Sequence, residues 1–205
     1  MCGEAQILSD EYAETAPTVH GELRERHESF LKPNPSPIRV TLCVVAMNPP
    51  VGSGNRTRNQ VELASHVIGC GRFEIVNLCA RPTSSTRDLH TRNIVEADWA
   101  AARPALTASI NAADEVLFAW GVNPLPGTTN LELRNQIRFV LQLTNERGRE
   151  VWSVGGQPRH PSRWHQYVSD KHGRTVGGSF EDRLAQVLVR KAPVESCGLA
   201  PHLLT

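Results

Sequence analysis

The chain has 205 residues, and its 22 lysines and arginines balance 21 aspartates and glutamates to a formal net charge of +1. That balance excludes the global basic signature of a nucleic-acid carrier but leaves room for a local basic rim. With 40% apolar and 21% charged residues the composition is that of a globular protein able to enclose a full core, and no apolar run approaches the length of a membrane span.

Residues 1–37 read as an appendage, a weakly amphipathic helix over 19–31 followed by a linker with Pro33, Pro35 and Pro37. It reads either as a surface helix packed on the domain or as a partner-binding arm. Residues 38–192 read as a single α/β domain and 193–205 as a tail. The domain opens on an apolar run containing Val40, Leu42, Val44 and Val45, the habit of a strand buried on both faces. Pro49 and Pro50 end it, because proline supplies no ladder donor. Spacing predicts a helix over 57–68, stopped by Gly69 and Gly71, and a second strand over 73–79. A longer loop leads to a helical pattern over 93–112, with Pro104 marking a kink or a second start. A third strand is expected over 115–121, an amphipathic helix over 130–145, a fourth strand over 150–154 and a last helix over 180–190.

Strands alternating with helices predict a three-layer α/β/α domain with a four-stranded, mainly parallel sheet. All four strand exits then fall on one edge, where ligands bind in open α/β sheets. Those exits carry Asn48, Asn77, Asn123 and His160. Asn48 offers one acceptor and two donors; it reads as a turn residue bonding its own backbone, or as a group that holds a water or reads a base. Asn77 adds a second amide at the neighbouring exit. His160, between Pro158 and Pro161, can exchange a proton near neutral pH or can simply tie its own loop together. Trp120 and Trp164 read as core residues or as a stacking surface. Arg56, Arg58, Arg81, Arg87, Arg159 and Arg163 all fall at this edge, which suggests an anionic ligand. The five cysteines form no CxxC pair and no zinc spacing, so they read as reduced thiols of a cytoplasmic protein. The N-terminus lacks a charged-then-apolar leader. No metal and no cofactor is expected.

The blocks VVAMNPP, EIVNLCARP, VLFAWG and GGQPRHPSRW, in this order, resemble the bacterial and phage family called domain of unknown function 1643. More distantly they are similar to the uracil-DNA glycosylase superfamily, although Ala46 stands where those enzymes have glycine and residues 51–60 contain no aromatic to stack on a base. The resemblance implies a glycosylase-like fold and a hydrolase that cleaves a nucleobase from its sugar, in DNA or in a free nucleoside or nucleotide. It implies Asn48 and His160 as catalytic groups, Asn77 as the reader of the base, and Ser162 and Arg163 in a loop that wedges into DNA. Pro49, Trp120, Asn123 and Ser162 are expected as further substrate contacts from their places at the strand exits. Arg81, Arg159 and Arg163 would form a phosphate rim. A non-catalytic nucleotide- or nucleic-acid-binding protein of the same fold is the alternative, and a structural or interaction protein is a third. The expected partner is a nucleobase-containing ligand, with DNA as one form of it, and no membrane. The sequence leaves the oligomeric state open.

Overall fold

A computed structural model describes residues 40–85, 88–91, 94–169, 171 and 175–196. The expectations for residues 1–37, for Arg87 and for the tail from residue 197 lie outside the described residues.

The first strand, β1 (Thr41–Ala46), is an inner strand of the sheet. Its side chains alternate between two separate cores. Cys43 and Val45 enter one, Leu42 and Val44 the other, and all four are at most 1% exposed. A strand buried on both faces has no place for a polar residue, which is why it reads as a continuous apolar run. Each fully buried Val or Leu contributes about 1.5–3 kcal/mol. β1 pairs in parallel with β2 (Arg72–Asn77) on one side and β3 (Glu115–Phe118) on the other, so Val45 lies between Val76 and Phe118. The sheet continues through β4 (Val151–Val154) to β5 (Leu188–Lys191), in the order β2-β1-β3-β4-β5.

Helices cover both faces. One core gathers Trp99 of α3 (Glu96–Ala100), Leu106 and Ile110 of α4 (Arg103–Ala112), and Leu133, Ile137 and Val140 of α5 (Gly127–Asn145). A short turn of helix, α2 (Asp88–Thr91), precedes α3 and adds Leu89 to this core. The other core gathers Val61 and Ala64 of α1 (Asn55–Ile68), Trp164 of α6 (Trp164–Tyr167), and Leu184 and Val187 of α7 (Phe180–Val187). The chain therefore leaves β1 toward one face and β3 toward the opposite face. A crevice must open between their carboxyl ends, because the two exits diverge there.

Two expectations are corrected. The sheet has five strands, not four, and the fifth is antiparallel to β4. The helix expected over 180–190 stops at Val187, and Leu188 turns extended at φ −69°, ψ 121°. Leu184, Val187 and Leu188 do share a helical spacing, but that spacing says nothing about where an unpaired sheet edge will recruit backbone. Here β4 offers the edge, and Arg190 fixes β5 to it through ion pairs with Glu115 at 3.3 Å and Glu150 at 3.6 Å. The pattern around Pro104 resolves into two helices, with Pro104 in the first turn of α4, where its missing N–H costs nothing. The tail from 193 begins with a further short helix, α8 (Pro193–Ser196).

Cys43, Cys70 and Cys79 are buried free thiols. Burial, with Glu74 adding to it, pushes the Cys43 thiol up to about 12, far from the range of a reactive thiolate. No helix of the described residues is long and apolar enough to cross a membrane.

Candidate functional site

An open cleft of about 1010 Å³ lies at the exits of β1, β2, β3 and β4. Asn48, Asn77, Trp120, Asn123, Arg159, His160, Ser162 and Arg163 all line it, although they span more than half the chain. Pro49 and Arg81 are not among the lining residues. Arg81 instead forms an ion pair with Asp98 at 3.6 Å. Its place is taken by Arg58, brought to the cleft by the first turn of α1.

Asn48 follows β1 directly. Its amide Nδ2 donates to the Thr83 carbonyl at 3.3 Å, to Thr83 Oγ1 at 2.8 Å and to the Pro49 carbonyl at 3.1 Å. Two of these three partners are carbonyls, which only accept, and Thr83 Oγ1 spends its own hydrogen on the Ser85 carbonyl at 2.9 Å. The amide can therefore have only one orientation. Oδ1 has no partner among the described residues and is the group that Asn48 has left for a ligand. Thr83 is buried and bridges in parallel to Pro50, so the loop after β2 braces the loop after β1. Sequence reasoning missed Thr83, whose only signal was its place in a Ser/Thr-rich loop.

His160 begins a 3-10 turn, Pro161–Arg163, and caps it with its own ring. The Ser162 main-chain N–H donates to Nδ1 at 3.2 Å, and Ser162 Oγ lies 2.9 Å from the same nitrogen. A main-chain N–H cannot accept, so Nδ1 carries no proton and the neutral ring holds its hydrogen on Nε2. Burial, and then the Arg163 guanidinium, hold the imidazole below its ordinary pKa, which keeps it neutral near pH 7. The loop-tying role and the chemical role are thus compatible: one nitrogen ties the loop and so sets the other as a donor.

The remaining walls are built from three exits. Asn77 ends β2, beside Ala46 of β1, and its carboxamide has no partner among the described residues. Trp120 lies beyond the end of β3 rather than within it, only 2% exposed, with its ring 4.5 Å from that of Phe118. It is a core residue with one edge on the cleft. Gly121, at φ 105°, donates its N–H to the Pro158 carbonyl, so the β3 exit is bonded to the loop that carries His160. Trp164 is fully buried and donates Nε1–H to the Arg159 carbonyl at 2.7 Å, anchoring that loop from below. The Arg159 guanidinium lies over the Tyr167 ring, 4.1 Å from its centroid. Its Nε is buried with no acceptor among the described residues, an arrangement that costs about 1–3 kcal/mol.

Among the described residues, no aspartate or glutamate lines the cleft. Comparison with curated proteins and with solved structures gave no match. A family model described as protein of unknown function (DUF1643) matches residues 30–162, from before β1 into the turn after His160.

Proposed function

Because the chain belongs to the DUF1643 family, whose description names no activity, we propose a function from the cleft itself: a glycosylase-like hydrolase that releases a nucleobase from its sugar. The observation that carries this reading is the complementary setting of two side chains. Asn48 has its amide hydrogens tied down and Oδ1 left as an acceptor; His160 has Nδ1 tied down and Nε2–H left as a donor. Hydrolysis of an N-glycosidic bond asks for both. An acceptor orients the water that adds to the anomeric carbon of the sugar. A neutral donor stabilises the negative charge that collects on the base as the bond electrons leave with it. The unpaired Asn77 carboxamide supplies paired donor and acceptor groups for a base edge. The resemblance of the four strand-exit blocks to the uracil-DNA glycosylase superfamily supports the same assignment and a related fold. On duplex DNA the base must be turned out of the stack to reach such a cleft.

A second reading is favoured by one specific observation. With no carboxylate lining the cleft among the described residues, these supply no strong general base, so a protein that binds a nucleobase without cleaving it fits the same residues. One experiment separates the two. The protein is incubated with modified-base oligonucleotides and with nucleosides, and base release and binding are scored on the same samples. Release of any base supports the hydrolase; binding without release assigns the cleft to recognition alone; neither binding nor release rejects both.

A further inference from the structure

We propose that this cleft takes its ligand by a phosphate group, held by the guanidinium groups of Arg58, Arg159 and Arg163. The reading that the rest of the ligand is a nucleobase is the one argued above; the phosphate assignment rests on separate observations. The chain as a whole is charge-balanced, with 22 basic and 21 acidic residues, yet among the described residues the cleft carries three arginines and no acid. Outside it, Arg81 pairs with Asp98 and Arg190 with Glu115 and Glu150, while Arg103 and Arg149 are satisfied by neutral oxygens of Gln136 and of the Ile110 and Ala113 carbonyls. None of the three cleft arginines reaches a carboxylate among the described residues. Unneutralised like charges repel, so a site that gathers them without counter-ions is matched to an anionic ligand.

Arg159 is the most specific of the three. Its guanidinium lies over the Tyr167 ring, which holds the planar fork, and its Nε is buried with no acceptor among the described residues. Its two terminal nitrogens have no hydrogen-bond partner among the described residues, which leaves the outer edge of the fork for the oxygens of a ligand. Arg163 is carried by the 3-10 turn, and that turn packs against α1, which carries Arg58. The convergence therefore follows from packing between two elements far apart in sequence. Two planar guanidiniums present paired N–H groups at the spacing of phosphate oxygens, and the hydroxyls of Ser53 and Thr57 line the same wall.

The test titrates the full chain with inorganic phosphate, the common nucleosides, their 5′-monophosphates and a mixed-sequence single-stranded oligonucleotide. The expected result is that phosphorylated ligands bind about tenfold or more tightly than the matching nucleosides. Arg159→Gln with Arg163→Gln should abolish that margin and leave nucleoside affinity within about twofold, whereas Arg81→Gln, outside the cleft, should leave the margin intact. A thermal melt of each variant establishes that it is folded. If the monophosphate accounts for all the affinity, the ligand is a mononucleotide. If the oligonucleotide binds more tightly still, with a steep loss in salt, the phosphate is that of a nucleic-acid backbone. Binding of inorganic phosphate with no binding of any base-containing ligand would keep the anion site and reject the nucleobase reading. Equal affinity for nucleoside and nucleotide, a margin that survives in the double variant, or no binding by any probe overturns the proposal.

Discussion

The Ser162 main-chain N–H and the His160 ring nitrogen Nδ1 lie 3.2 Å apart, and that bond decides which hydrogen the imidazole can offer. A ring held in the opposite orientation would present an acceptor to the cleft. The 3-10 turn that begins at Pro161 is therefore part of the chemistry, because it delivers the N–H that selects the tautomer.

His160→Ala should separate transition-state stabilisation from binding. A donor that acts on developing charge is worth about 10²-fold or more in single-turnover base release, with ligand affinity little changed. Asn77→Ala should do the reverse: it should weaken binding, because a polar base edge would lose its partner, and should leave the melting temperature almost unaltered, because Asn77 has no protein partner among the described residues to lose. Equal loss of binding in both variants, without turnover in the wild type, assigns both residues to recognition.

The lowered pKa of His160 predicts a pH-dependent stability. The unfolded chain takes up a proton near pH 6.5, whereas the folded ring resists it to a lower pH. The contribution of the neutral ring is thus fully present above about pH 6.5 and is lost as pH falls through the folded value. Urea midpoints of the wild type and His160→Gln should run parallel above about pH 7, and the wild type should lose ground below it. A constant difference down to about pH 5 would contradict the shift.

Thr83→Val removes one of the acceptors that orient Asn48, while Thr83→Ser keeps it. The valine variant should lose about ten- to a hundredfold in base release through misplacement of Oδ1, and serine should recover most of it. Equal rates in the two variants would leave Thr83 with a merely structural role.

Gly155 adopts φ 62°, and a Cβ built there would overlap the Tyr167 hydroxyl. Gly155→Ala should therefore destabilise the fold by about 2 kcal/mol or more, from the backbone conformation and the clash together. It should also move Tyr167 from beneath Arg159. An alanine variant that melts with the wild type would show that Tyr167 gives way freely.

The order of elements, the parallel character of the sheet and the exit positions of Asn48, Asn77 and His160 were legible in the sequence. Each depends on a local cause: an apolar run buried on both faces, a helical spacing, a proline that ends a strand. The same locality explains what was not legible. β5 exists because the exposed edge of β4 needed a partner, and Arg190 could reach Glu115 of β3 and Glu150 just before β4. Arg58 and Arg81 were both expected at this edge, but only the folded chain separates them: α1 packs against the 3-10 turn and brings Arg58 to the cleft, while Arg81 found Asp98. Thr83 and Tyr167 act through the orientation of another side chain, a relation between residues 35 and 8 positions apart that no spacing records. The sequence by itself determined which chemical groups stand at the strand ends. Only the tertiary structure decided which atom of each group is left unpaired, because hydrogen-bond partners come from loops that meet only when the chain is folded.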